Sequence, residues 1–341
     1  MIKSTSLLAL WAASSATAAP GKPSGSWQPK GPWGHPWGRL SSSGCGKTHH
    51  TGYNNDTASH SIISGGLNRT YGVNVPNDYN DNPSKARALI IDYHGSGGNA
   101  WQQYDNSQYY NYPSGEEYVV VYPNAYGSNH SWQGPNYAPA GVSDLNFTID
   151  LLDHIEDQYC IDTSLVYASG KSNGGGFVDT LACSDQGDRF AAFAIASGAM
   201  YTDTSRDSCS KKRAILESHG DMDSTIPYHP TKPGRGGPIP DISQWVSWWG
   251  YRTCGSSAKP QNSGDLGGYN TTSYSCGNWD KVIDHYQVFD LGHCWPSSTG
   301  ENYDALAPDQ DTRKCLDKVL DYTPVVLNFF SKWTLSNSPK N

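Results

Sequence analysis

Long apolar runs are missing from this 341-residue chain. After the first dozen positions, none approaches the roughly 20 residues needed to cross a bilayer. A basic excess is missing too: 24 Lys and Arg stand against 32 Asp and Glu. That balance excludes nucleic acid and anionic membrane surfaces as expected partners. Metal-ligand spacing is absent, with no C-x-x-C and no His pair at i, i+4 beside a cysteine, so no metal is expected. The Gly-rich stretch His94-Gly-Ser-Gly-Gly98 lacks the G-x-x-x-x-G-K-S/T pattern of a phosphate cradle. There is no internal repeat and no composition break that would mark a second folded domain.

What is present points outside the cell. Met1-Ile-Lys-Ser-Thr-Ser-Leu-Leu-Ala-Leu-Trp-Ala-Ala carries one basic residue and then a short apolar run. Ala16-Thr17-Ala18 has the small-x-small form of a secretory cleavage site, so residues 1–18 are expected to be a signal peptide. Removing Lys3 with it leaves 23 basic against 32 acidic residues, a net charge of −9. The eight cysteines all lie beyond that cut, and an even number in an exported chain favours four disulfides. Cys254–Cys276 is the one local pairing expected, closing a Gly/Ser/Asn-rich loop. Asn55, Asn68, Asn129, Asn146 and Asn270 fit the glycosylation acceptor pattern. Residues 19–44, rich in Pro, Gly, Ser and Trp, read as a disordered leader that includes Trp27, Trp33 and Trp37. The folded domain is expected over 45–341.

Short apolar runs alternate with helix-period segments through that domain. Arg87–Tyr93 and Tyr118–Tyr122 are continuous enough to be buried parallel strands, and Leu165–Ala168, Phe190–Ile195 and Ala214–Leu216 are shorter runs of the same kind. Leu145, Ile149, Leu152 and Ile155 recur at helical spacing. Residues 245–251 and 324–333 also read as helices, and 282–289 alternates like a strand. The pattern predicts an α/β architecture, mostly parallel, with helices on both faces. In such sheets sites form beyond the carboxyl ends of the strands.

At one such end lies Gly170-Lys171-Ser172-Asn173-Gly174, which fits G-x-S-x-G between a strand and a helix. A Gly-rich chain can produce that pattern by chance, and an ordinary strand–helix turn would look the same. A serine hydroxyl needs a base, and the base needs an orienting acid. With the chain order Ser, acid, His, the candidate histidines are His229, His285 and His293. His285 sits inside the alternating run 282–289, so a plain strand position suits it. His293, in the loop Asp290-Leu-Gly-His-Cys-Trp-Pro296, is the expected base. The acid lies in Glu217-Ser-His-Gly-Asp-Met-Asp223, where spacing leaves Asp221 and Asp223 both open. The oxyanion donors are expected to be the N–H of Asn173 and that of Ser96. Trp101, Trp132 and Trp295, with Tyr104 and Tyr137, are candidate pocket-lining aromatics, although core packing suits each equally.

These motifs occur in one order: His94-Gly-Ser-Gly-Gly-Asn-Ala100, Gly-Lys-Ser-Asn-Gly-Gly175, His219-Gly-x-x-Asp-x-x-Ile-Pro-Tyr228 and Gly292-His-x-Trp-Pro296. Together, over about residues 45–335, they resemble the secreted feruloyl esterases of carbohydrate esterase family 1. Acetyl xylan esterases and polyhydroxybutyrate-depolymerase-like proteins are related to that family. The resemblance implies a single α/β-hydrolase domain and a serine esterase without cofactor. It places the catalytic acid at Asp223 and supports His293 as base. The implied substrate is feruloylated plant cell-wall arabinoxylan, and a monomer is expected. Lys171 and Cys294 depart from many relatives. Deacetylation of xylan and cleavage of a hydroxyalkanoate polyester share the same triad. A non-catalytic carbohydrate-binding protein on the same fold is the alternative from another class. A peptidase lacks support, since no propeller-like or specificity domain is present.

Overall fold

The strand Arg87–Tyr93 (β4) is buried at all seven positions, as a strand covered on both faces must be. It pairs in parallel with Tyr118–Pro123 (β5) on one side and Ile161–Lys171 (β6) on the other. Ala192–Ala196 (β7), Ile215–Gly220 (β8) and Trp279–Val288 (β11) continue the parallel run. Both margins turn antiparallel. Leu67–Val75 (β3) pairs β5 and carries Gly52–Asn54 (β1) and Ser61–Ser64 (β2). At the other margin Tyr269–Cys276 (β10) pairs β11 and carries Gln261–Asn262 (β9). This computed structural model describes residues 41–256, 258–307, 315 and 319–340.

Helices Ala100–Ser107 (α1), Asp144–Gln158 (α2), Asn173–Ala182 (α3), Ile242–Cys254 (α4), Tyr303–Leu306 (α5) and Tyr322–Phe330 (α6) connect and cover the strands. Local sequence starts several of them: Asn99, Ser143 and Asp241 each accept an N–H of the first turn, of Gln102, Asn146 and Gln244 respectively. The core runs along the sheet, with Leu89, Ile90, Val120, Val121, Phe193 and Ile195 fully buried. No helix among the described residues is long and apolar enough to cross a membrane.

Three features differ from the sequence reading or lie beyond its reach. The signal peptide and the leader tryptophans fall outside the described residues. Residues 41–44, assigned to the leader, belong to the fold: Ser41 bridges to Asp162 and Ser42 N–H donates to the Ile161 carbonyl. The Cys45–Cys160 disulfide fastens that entry. The stretch read as a loop closed by Cys254–Cys276 holds β10, whose Thr- and Ser-rich sequence suits a strand without giving an apolar signature. The disulfide itself is present, as are Cys183–Cys209 and Cys294–Cys315. Of the five acceptor asparagines, Asn55, Asn68, Asn129 and Asn146 are exposed, whereas Asn270 is half-buried in β10 against Gln287.

Candidate active site

β6 ends at Lys171 and α3 begins at Asn173, which leaves Ser172 as the whole turn. Its backbone is left-handed at φ 56° and ψ −121°, a conformation that costs an L-residue on the order of 1–3 kcal/mol. Ser172 also occupies the N-cap of α3, where serine ordinarily bonds back to the helix. Here no such cap bond forms. The hydroxyl is turned instead to His293 Nε2, at 2.7 Å. The turn closes because positions 170 and 174 are both glycine: a Cβ at 174 would collide with the Tyr93 carbonyl, and one at 170 with the Gly174 backbone.

His293 Nδ1–H donates to Asp223 Oδ2 at 2.7 Å. Because a carboxylate only accepts, that bond leaves Nε2 free to take the Ser172 proton. The second oxygen, Asp223 Oδ1, accepts the N–H groups of Thr225 and Ile226. Asp223 is buried, which works against its charge, but His293 and His219 outweigh that and hold it well below the usual carboxylate range. Burial is the main reason that the His293 pKa falls below its ordinary value; Asp223 opposes the shift and Lys171 adds to it. Asp221 stands apart: its Oδ1 accepts Asp290 N–H and so ties the acid turn to the histidine loop.

The loop after β4 lies against this turn, and a Cβ on Gly95 would sit 3.3 Å from the Ser172 Cβ. His94 fixes the loop. Its Nε2 accepts Ala125 N–H, so Nδ1 carries the proton and donates to the Gly95 carbonyl. Burial holds its pKa down at about 4, so the ring stays neutral. Asn173 is the first residue of α3, where N–H groups have no acceptor within the helix. Its side chain clasps the backbone of Trp132 at both N–H and carbonyl. Ser96 Oγ bonds Ser131 Oγ at 2.8 Å.

The aromatic assignments divide. Trp132 and Trp295 are 0 % and 1 % exposed, so both are packed in the interior. Trp132 stacks on Phe177 and donates from its indole to the His94 carbonyl, and Trp295 donates to Thr323 among Tyr109 and Tyr322. Both are scaffold for the loops around Ser172. Trp101 is 48 % exposed and meets Tyr303 edge-on. Tyr104 is stacked between Tyr53 and Tyr110, and Tyr137 meets Tyr201. Beside the Gly95 loop is a cavity of about 220 Å³ lined by Gly95, Gly98, Gln102, Asn106, Lys171 and Tyr303.

Sequence reasoning passed over two buried groups here. Lys171 Nζ pairs with Asp304 Oδ1 at 3.1 Å, and Asp304 Oδ2 accepts from Asn106 and from Trp295 N–H. On the other side Glu217 bonds both His219 and His285. The second group could have been found. Glu217 and His219 are two apart on a strand, so they share a face, and charges on a buried strand must be paired.

An α/β sheet with a left-handed serine between strand and helix, followed along the chain by an acid turn and a histidine loop, defines an α/β-hydrolase. Within that class the chain is similar to feruloyl esterases. It is 32 % identical to feruloyl esterase D of Neurospora crassa over 47 % of this chain and 55 % of that protein. It is 28 % identical to probable feruloyl esterase C of Aspergillus niger over 74 % and 84 % of the two chains. It spans about half the length of the first relatives it matches. An acetyl xylan esterase from Aspergillus awamori superposes with a TM-score of 0.50 at 17 % identity, over 69 % of this chain and 93 % of that one. A profile of the prolyl oligopeptidase family matches residues 101–210, which hold the serine turn but neither His293 nor Asp223.

Proposed function

We propose that this protein is a secreted serine esterase that hydrolyses feruloyl and related hydroxycinnamoyl esters on plant cell-wall arabinoxylan. The observation that carries this is the unbroken series Ser172 Oγ, His293 Nε2, His293 Nδ1 and Asp223 Oδ2, with 2.7 Å at each hydrogen bond. Ser172 Oγ attacks the ester carbonyl as its proton passes to His293 Nε2. Asp223 stabilises the imidazolium that results. The N–H groups of Ser96 and Asn173 receive the oxyanion; loss of one such donor typically costs on the order of 100-fold or more in rate. Collapse of the tetrahedral intermediate breaks the ester bond, and His293 returns its proton to the departing sugar hydroxyl. Water, deprotonated by His293, then attacks the feruloyl-Ser172 ester and releases ferulate.

The likeness to feruloyl esterases supports the hydroxycinnamoyl substrate. The structural likeness to an acetyl xylan esterase makes acetylated xylan the second reading. Both use the same residues and differ in the acyl group. The test supplies methyl ferulate, acetylated xylan and a hydroxybutyrate polymer to the mature protein, with Ser172→Ala as control. Ferulate release that Ser172→Ala abolishes is expected. Acetate release without ferulate release would replace the substrate and keep the mechanism. Equal turnover by Ser172→Ala would mean that the chain is not a serine hydrolase.

A further inference from the structure

Behind the triad, the hydrogen-bonded series does not stop at Asp223. His219, from β8, places Nε2 2.8 Å from the Ile226 carbonyl and 3.3 Å from Asp223 Oδ2. Its Nδ1 lies 2.9 Å from Glu217 Oε1. A carbonyl and a carboxylate only accept, so both ring nitrogens must carry hydrogen. Glu217 Oε2 in turn takes the Nδ1–H of His285 at 2.6 Å, and His285 Nε2 meets the Tyr228 hydroxyl at 2.8 Å. Every member is buried. Glu217 and His285 are direct register partners across the parallel pair β8–β11, so strand pairing itself sets the arrangement.

We propose that His219 is a fixed imidazolium and a positioning residue for the catalytic acid, held between Glu217 and Asp223. It keeps Asp223 anionic and aligned on His293, and its charge adds to the burial and the Lys171 cation that disfavour protonation of His293. The proposal rests on the esterase reading for its catalytic consequence, but the protonation state of His219 stands apart from any activity. The groups facing His219 are Glu217 on β8, Asp223 in the acid turn and the Tyr228 ring, which meets it edge-on. His285 and Tyr322 act on Glu217, and His293 lies beyond Asp223. Burial works against charge on His219, yet Glu217 and Asp223 outweigh it and raise its pKa to about 10.

The sign of the kinetic effect follows from placement. His219 is nearer to His293 along the series than Glu217 is, so its positive charge opposes protonation of His293. Removing that charge raises the His293 pKa and moves the acid limb of kcat/KM to higher pH.

The first measurement is ¹⁵N–¹H NMR of the intact protein labelled at histidine. His219 is expected to show two protonated ring nitrogens, unchanged from pH 5 to pH 8. A single neutral tautomer at pH 7 would overturn the proposal whether or not the protein is an esterase. The second is Glu217→Gln, which keeps shape and removes the anion. His219 should then titrate within that range. Loss of the cation beside Asp223 should lower kcat about tenfold, with KM little changed. The acid limb should move to higher pH. An unmoved acid limb alongside a neutral His219 would overturn the electrostatic role. The wild-type spectrum needs no variant to fold, and loss of activity alone would challenge only the esterase reading.

Discussion

Ser172 stands between two buried charged assemblies of different build. On one side Glu217, His219 and His285 come from two neighbouring parallel strands, with Asp223 in the turn that follows β8. On the other, Lys171 at the end of β6 meets Asp304 of the four-residue helix α5, backed by Asn106 of α1 and the Trp295 backbone. The first is positioned by sheet register, which cannot slip without turning every side chain to the other face. The second joins the end of one strand to loops and short helices, with Cys294–Cys315 beside it. In the proposed reaction the sheet-held assembly handles the proton, whereas the loop-held one lines the cavity. Substitutions on the two sides should therefore fail in different ways.

The largest expected effect is on the sheet-held side. In Asp223→Asn the side-chain oxygen can still accept from Thr225 and Ile226, so the turn survives. The amide nitrogen then faces His293 Nδ1 and favours the tautomer that cannot take the serine proton. A drop in kcat of about 10,000-fold is expected, with the fold retained and a lowered melting temperature, since His219 loses part of its counter-charge. Steady-state kinetics and thermal unfolding on one preparation check both halves. A loss of tenfold or less would mean that Asp223 is not the orienting acid.

The loop-held side should lose stability before it loses rate. Lys171→Met leaves Asp304 buried without its cation, a change that typically costs about 3–5 kcal/mol. Denaturant unfolding should show that loss, and the double variant Lys171→Met, Asp304→Asn should recover most of it. Lys171 is one of the groups that hold the His293 pKa down. The variant's acid limb should therefore move upward in pH as the cation is lost, while kcat on the plateau falls less than tenfold. A rate loss as large as that of Asp223→Asn would erase the distinction between the two assemblies.

The same division explains which parts could be read from the chain. Arg87–Tyr93 and Tyr118–Tyr122 are buried on both faces, so their continuous apolar runs marked the central strands almost to the residue. The serine turn, the acid turn and the histidine loop each follow a strand, which is why sequence order alone brought forward Ser172 and His293, the pair that lies 2.7 Å apart. Spacing could not choose between Asp221 and Asp223, because both lie in one turn and both reach the histidine loop, Asp221 at the Asp290 backbone and Asp223 at the His293 ring. Asp304 was out of reach for a different reason. Its partner Lys171 lies 133 residues away, and no local period links a loop helix to a strand end. The tryptophans show the same limit: an aromatic beside a catalytic loop can face the substrate or the core. Trp132 and Trp295 face inward, while Trp101, on the first turn of α1, remains at the surface.

Trp101→Ala carries the smallest expected effect and tests the loop-held side at its rim. The indole meets Tyr303, whose hydroxyl accepts from Gln102 Nε2 at 2.7 Å, so it backs onto two residues of the cavity wall. An aromatic contact of this kind is worth about 0.5–1.5 kcal/mol beyond its buried area. A ring that touches the substrate outside the reacting ester binds the ground state and the transition state alike. KM for methyl ferulate should rise about twofold to tenfold while kcat is unchanged. Because half the side chain is already in water, the melting temperature should hardly move. If kcat fell instead, with KM constant, the indole would be acting only as a brace for Tyr303 and the Gly95 loop, and the substrate would have to enter across a different wall.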